Sequence, residues 1–157
     1  LLTLLKTLKE LPNQKLVVIG NGKAYKIKCL RFISEHNLSD RVAFLSGLEI
    51  EEMAAIYQSA QMLIYTSIFE GFGIPILEAL FCKTPVITSK DGCFSEAGGP
   101  NTKYINPLSI QEMKEAIGEI LNSSDLQKEM RTKGFEYAQN FTDDKIANNL
   151  MSVYKSL

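Results

Sequence analysis

The chain has 157 residues, of which 45% are hydrophobic, 9% aromatic and 22% charged. That is the size of one domain at ~100–200 residues per domain, with enough apolar residue for a core and too little net charge for a disordered tail. Seventeen lysines and arginines against eighteen aspartates and glutamates leave a formal charge of −1. A general nucleic-acid binder carries a basic excess, so no nucleic-acid partner is expected. Cys29, Cys82 and Cys93 form no CxxC pair and His36 is the one histidine. No metal site is expected, and a reduced, cytosolic setting fits best. No apolar run reaches the ~18–20 residues of a membrane span, and no basic leader with a cleavage site opens the chain.

The elements follow one another at short intervals. Leu1, Leu4, Leu5, Leu8 and Leu11 recur at helical spacing until Pro12-Asn13 stops them. The start, Leu1-Leu2-Thr3-Leu4-Leu5, has no methionine and lies inside that pattern, as a piece of a longer protein would. Lys15 to Ile19 reads as a buried strand ended by Gly20-Asn21-Gly22. A helix over 24–36 follows, then a strand at 42–45 turned by Ser46-Gly47, and a helix over 50–59 with Met53, Ile56 and Tyr57 on one side. A strand at 61–66 leads to a helix over 73–81. Next come a strand at 84–88, led by Pro85 as an edge strand tolerates, and a short strand at 104–105. Helices over 109–122, 124–138 and 142–155 close the chain, with a capping box predicted at Ser109 and Glu112. Strands separated by helices imply right-handed crossovers and a parallel sheet. The expected fold is α/β, a Rossmann-like three-layer sandwich with C-terminal helices, and such sheets bind ligands beyond the carboxyl ends of their strands.

The richest of those ends is the loop from Thr66 to Glu78. Gly71 and Gly73 admit backbone conformations closed to other residues and let a ligand approach the main chain. Pro75 suits the first turn of a helix. The amides of Phe72, Gly73 and Ile74 then point out of a helix N-terminus, an anion site for a phosphate or carboxylate. Glu70 precedes the turn, where it can accept from sugar hydroxyls or stabilise a developing positive charge. Glu78 is the only charge in an otherwise apolar helix and needs partners; a ribose diol offers two donors. Taken singly, a Gly-Phe-Gly turn is usually only a turn and a glutamate near a helix start usually a surface residue. Two glutamates straddling the turn with seven residues between them say more.

Glu70 to Glu78 resembles the E-x7-E signature of the group 1 (family 4) retaining glycosyltransferases. Val18 to Gly22 is similar to the family's V-x-G-x-G turn, and Arg41 to Gly47 to its R-V-x-F-L-G strand. Ala79 to Pro85 is similar to its A-x-A-x-G-x-P stretch, and Glu96 to Pro100 to the segment before its last strand. The resemblance implies the C-terminal, donor-binding domain of a two-domain GT-B enzyme, spanning 1–157 and truncated at its N-terminus, with the first strand of the family domain missing. It implies a nucleoside-diphosphate sugar as donor, a glycan or lipid-linked acceptor, retention of anomeric configuration and no cofactor. It places the residue matching Glu70 at the donor sugar, where we read an electrostatic and positioning role. The residue matching Glu78 is placed on the ribose, the amides of Gly71, Phe72, Gly73 and Ile74 on phosphate or sugar, and Ser46, Gly47 and Leu48 beside the nucleobase.

The departures are as definite. The family's diphosphate-gripping Arg and Lys have no counterpart, since Lys6 and Lys9 read as a solvated helix face and Lys23 stands where proline is usual. Lys83 replaces a usual glycine. The acceptor domain is missing, so the chain alone is expected to be inactive. Membrane contact is expected only through that missing domain, in a cytoplasmic enzyme at the inner face of the membrane. A non-catalytic Rossmann-like nucleotide-binding or interaction module is the rival reading. A dinucleotide dehydrogenase is weaker, because Gly20 to Tyr25 lacks the third glycine of GxGxxG and no acidic residue ends the strand at 42–45. His36 reads as a helix-end residue, Cys82 as core, and Cys93 as an exposed loop thiol with nothing to activate it.

Overall fold

The computed structural model describes residues 1–156. Helix α1 (Leu2–Lys9) turns Leu4, Leu5, Thr7 and Leu8 inward and leaves its lysines in water. Strand β1 (Leu16–Ile19) follows, then α2 (Ala24–Glu35), a 3-10 turn at Ser39–Arg41, and β2 (Val42–Leu45). β1 and β2 run parallel with Leu16 opposite Val42 and Ile19 opposite Leu45. Leu5 packs with Cys29, Ile33 and Leu38 beneath this pair. Arg41, part of a motif matched above, serves the fold: its guanidinium donates to the carbonyls of Leu8 and Gln14 at 2.9 Å each and to that of Leu11. A cation there closes the C-terminal end of α1 against its dipole. His36 caps α2, its Nδ1 3.0 Å from the Phe32 carbonyl and its ring stacked on Phe32, as its helix-end position predicts.

Helix α3 (Ile50–Ser59) leads to the second sheet, built of β3 (Leu63–Tyr65), β4 (Val86–Ser89) and β5 (Lys103–Ile105) with α4 (Ile74–Phe81) and α5 (Phe94–Gly98) between them. All three strands are parallel, with β4 in the middle. Every residue of β4 is buried, because helices cover both of its faces. Val86 faces a core with Tyr57, Ile76, Leu80 and Phe94, while Ile87 faces another with Leu4, Met113, Ile117 and Ile120. This makes the three layers expected of the sequence. One detail differs: β4 is a central strand, and Pro85 stands just before it. There the missing N–H costs no ladder bond, and the Pro85 carbonyl still accepts from Leu63 N at 2.8 Å. Helix α5 was not foreseen, since five residues are too few to show a period.

Helices α6 (Ile110–Asn122), α7 (Ser124–Ala138) and α8 (Asp143–Ser156) complete the chain, with a 3-10 turn at Gln139–Phe141. The capping box predicted at Ser109 forms only in half. The Ser109 hydroxyl accepts from Glu112 N at 3.2 Å, but the Ser109 amide already donates to the Asn106 carbonyl at 3.0 Å. The Glu112 carboxylate therefore takes the Asn106 amide instead, at 2.8 Å. A complete box stands at Glu49 and Glu52, opening α3.

The two sheets do not join. β1 and β3 share no ladder, and a cleft of about 700 Å³ lies between them, lined by Leu16, Val17, Ile56, Met62, Ile64 and Leu121 among others. Val17 is 46% and Ile19 38% exposed. The facing edges of β1 and β3 are thus left without strand partners and partly uncovered.

Lys83, just past α4, sits at φ +56°. Left-handed backbone costs a side-chain-bearing residue about 1–2 kcal/mol, which explains why a glycine is usual there. The Lys83 ammonium recovers part of that over the Phe135 ring, 4.8 Å from its centroid. Lys83→Gly is expected to raise unfolding free energy by up to about 1 kcal/mol in urea melts. Gly99→Ala should do the reverse and lower it by more than about 1–2 kcal/mol. Gly99 has φ +65°, and a Cβ there would lie 2.6 Å from the Tyr137 ring.

Candidate functional site

The loop between β3 and α4 is pinned from beneath by side chains of the buried strand β4 and the loop after it. Thr88 Oγ1 donates to the Tyr65 carbonyl at 2.7 Å, Ser89 Oγ to the Ser67 carbonyl at 2.5 Å, and Cys93 Sγ to the Glu70 carbonyl at 3.3 Å. One residue before Pro85, Thr84 Oγ1 donates to the Tyr57 carbonyl at 2.6 Å. A buried hydroxyl needs an acceptor, and each of these takes a main-chain carbonyl of the site. Cys93 is thus half-buried and seated against the Glu70 loop, not a freely exposed loop thiol.

Gly73 is the N-cap of α4 at φ +102° and ψ 47°. A Cβ there would meet Ile76 Cδ1 at 3.1 Å, with Ala97 and Phe94 close behind, so glycine is required by backbone and by packing. Gly71 differs from the expectation. Its backbone is not in the left-handed region, and a Cβ would meet nothing within 4 Å. No side chain caps α4, and Pro75 in its first turn has no N–H to satisfy. Among the described residues the amides of Phe72, Gly73 and Ile74 donate to no protein acceptor. Three free donors at the positive end of a helix suit an anion.

The two carboxylates flank this turn. Glu70 accepts from the Tyr65 hydroxyl at 2.6 Å through Oε1. That bond first, with the Ser67 hydroxyl close by, holds the Glu70 carboxyl below its ordinary value; the Ser67 hydroxyl itself donates to the Phe69 carbonyl at 3.2 Å. Glu78 Oε2 accepts from the Tyr57 hydroxyl at 3.0 Å. Glu78 is the only charge of an otherwise apolar helix, but its side of α4 is exposed, and it needs no burial partner beyond that one bond. Burial first, and the neighbouring glutamate second, push both tyrosine hydroxyls well above their usual range. Glu78 also acts on Tyr65, so the two pairs adjoin. Among the described residues neither Glu70 nor Glu78 forms an ion pair. The site therefore keeps its negative charge unneutralised, beside a turn of unpaired amides.

Ser46, Gly47 and Leu48 lie at the carboxyl end of β2, on the other sheet. No hydrogen bond joins them to the Glu70 loop; they lead into α3, whose Tyr57 holds Glu78. Tyr57, Tyr65, Thr84, Thr88 and Ser89 were missed as functional positions. Tyr57 carried the one usable signal, because a tyrosine in a helix's core stripe must find a partner for its hydroxyl. Among the described residues no group of three or more His, Cys, Asp or Glu is placed to hold a metal, and no helix is long and apolar enough to cross a membrane.

The family model of glycosyl transferases group 1 matches residues 1–137. The uncharacterized glycosyltransferase MJ1178 of Methanocaldococcus jannaschii is 31% identical over 142 residues, which are 89% of this chain and 40% of that protein. The MMP alpha-(1->4)-mannosyltransferase of Mycolicibacterium hassiacum is 30% identical over 129 residues, 80% of this chain and 31% of that protein. Anabaena HepE, solved in complex with UDP-glucose, superposes with a TM-score of 0.85 over 99% of this chain and 44% of its own, at 24% identity. The chain thus spans about two fifths or less of the curated relatives it matches. Its Rossmann-like fold is the one found in GT-B glycosyltransferases, and with the family match over residues 1–137 this chain belongs to the group 1 glycosyl transferases.

Proposed function

We propose that this chain is the donor-binding half of a retaining hexosyltransferase, acting on a nucleoside-diphosphate sugar. The observation that carries the reading is the pair Glu70 and Glu78 on either side of a turn whose amides are unpaired. Glu78 keeps Oε1 free for a ribose diol, since Tyr57 occupies only Oε2. The amides of Gly71, Phe72, Gly73 and Ile74 take the donor phosphate or sugar, the job that basic side chains would otherwise do. Glu70, ionised and without a cationic partner, faces the donor sugar and stabilises the positive charge that develops at its anomeric carbon. Ser46, Gly47 and Leu48 bound the base. The product is a glycan or lipid-linked sugar, made by a cytoplasmic enzyme at the inner face of the membrane. HepE holding UDP-glucose supports a nucleotide sugar as the donor class, and a mannosyltransferase among the relatives supports transfer of a sugar.

We infer further that residues 1–157 are the later part of a two-domain enzyme. An acceptor domain precedes them, together with a strand that completes the sheet, and the chain alone does not turn over. The cleft between β1 and β3 supports this, because two facing strand edges both lack partners there.

In the full-length enzyme, Glu78→Gln is expected to weaken nucleotide-sugar binding by ~10-fold or more in calorimetry, as loss of a bond to a charged group does. Glu70→Gln should cut kcat by ~100-fold or more with a smaller effect on binding. Titration with UDP-, GDP- and ADP-sugars identifies the base. Unchanged binding and unchanged transfer in both variants would leave only a non-catalytic module. Chain completion has its own test, amide hydrogen exchange. The edge amides of β1 and β3 should exchange slowly in the full-length protein and fast in residues 1–157 alone; equal rates would sink the missing strand.

A further inference from the structure

We propose that Tyr65 and Tyr57 are positioning residues of the transfer site, Tyr65 aiming the Glu70 carboxylate at the donor sugar and Tyr57 aiming that of Glu78 at the ribose. This rests on the donor-binding reading above and assigns work to two side chains outside the E-x7-E segment.

A glutamate on an open loop has three side-chain torsions and no reason to hold one direction. Glu70 has no ion-pair partner, and the loop around it is exposed enough that Phe69 is 89% accessible. What restrains its carboxylate is the Tyr65 hydroxyl at 2.6 Å, since the Ser67 hydroxyl donates to the Phe69 carbonyl instead. Tyr65 is itself a rigid post. Its backbone lies in β3, in register with Thr88, whose hydroxyl holds its carbonyl at 2.7 Å. Its ring stands edge-on to Phe94, with centroids 6.4 Å apart at 72°. Tyr57 is built the same way. It is 6% exposed, packs with Ile76, Ala79 and Phe94, and has its carbonyl held by Thr84 at 2.6 Å. From there its hydroxyl reaches across from α3 to Glu78 on α4.

The choice of donor has a consequence for the chemistry. A lysine or arginine would orient a carboxylate equally well but would cancel its charge. A tyrosine hydroxyl is neutral, orients one oxygen, and leaves the full negative charge to face a cationic transition state. Because each tyrosine takes a single oxygen, Glu70 Oε2 and Glu78 Oε1 are left for the donor. The groups at the Glu70 carboxylate are the Tyr65 hydroxyl and, close by, Ser67; the Cys93 thiol meets the Glu70 main-chain carbonyl, Cys93 and Glu78 act on Tyr65, and none of these groups is basic.

The test is steady-state kinetics of Tyr65→Phe and Tyr57→Phe in the full-length enzyme, with thermal unfolding alongside. Phenylalanine keeps the ring packing, so both should melt close to the parent. Tyr65→Phe is expected to lower kcat by ~10-fold with donor KM changed by less than ~3-fold, and Tyr57→Phe to raise donor KM by ~5–10-fold with kcat nearly unchanged. The acid limb of the Tyr65→Phe pH profile should move to higher pH, because the bond that holds the Glu70 carboxyl low is gone. In a Glu70→Gln background Tyr65→Phe should cost almost nothing more, as for groups that act as a unit. Glu70→Asp, which keeps the charge and withdraws it from the hydroxyl, should lose kcat to a similar extent even if Tyr65→Phe does not fold. An unchanged kcat and acid limb in Tyr65→Phe, an additive loss in the double variant, or parental kcat in Glu70→Asp would each overturn the proposal. Those results leave the donor-binding reading standing if Glu70→Gln and Glu78→Gln still impair transfer. If those two do not, the reading itself is what failed.

Discussion

The buried strand β4 is what the site depends on. It lies between β3 and β5 with helices on both faces, and its side chains, like that of Thr84 just before it, are cut off from solvent. Thr84, Thr88 and Ser89 must therefore find acceptors within the protein, and they find the carbonyls of Tyr57, Tyr65 and Ser67. The two carbonyls held by threonine belong to the two tyrosines whose hydroxyls hold Glu78 and Glu70. Order passes outward in two steps, from the buried strand and the residue before it to two rings, and from the rings to two carboxylates at the surface. A site on a loop acquires the stiffness of the sheet beneath it.

Electrostatically the same site is frugal with charge. The chain is nearly neutral, and its ion pairs among the described residues lie elsewhere, at Lys103–Glu119, Lys114–Glu10 and Lys133–Glu129. Around Glu70 and Glu78 the donors are hydroxyls and amides. Neutral donors hold the carboxylates in place and keep Glu70 ionised without pairing it, while the free amides at the start of α4 supply positive potential close by. Opposite potentials thus lie a few residues apart on one turn, a suitable face for a molecule with a phosphate at one end and a developing cation at the other.

The second sheet is well covered and the first is not. β4 has partners on both sides, but β1 pairs only with β2, and its other edge opens on the cleft toward β3. Unpaired strand edges lined by Val17 and Ile64 bind other extended segments. The open side of β1 and the rigid side around β4 are therefore at opposite ends of the molecule's order, with α1 and α6 packed together as the bridge between them.

What the sequence determined by itself was local. The alternation of short apolar strands with helices set the α/β class, because periodicity of 2 and 3.6 is written in neighbouring residues. Gly73, Pro75 and the seven-residue spacing of Glu70 and Glu78 showed a helix start between two carboxylates, since a turn needs only its own few residues. Even there Gly71 was over-read: its need for glycine depends on what surrounds it, and in the fold nothing does. The Ser109 box was over-read too, because the Ser109 amide was already taken by Asn106. Tyr65 is only five residues from Glu70, but only the tertiary structure decided what holds Glu78 and what steadies the two tyrosines. Tyr57 is 21 residues from Glu78, Thr88 is 23 from Tyr65, and Thr84 is 27 from Tyr57. Partners at that range meet only when parallel strands come into register and α3 packs on α4, and no spacing along the chain encodes a contact made through the core.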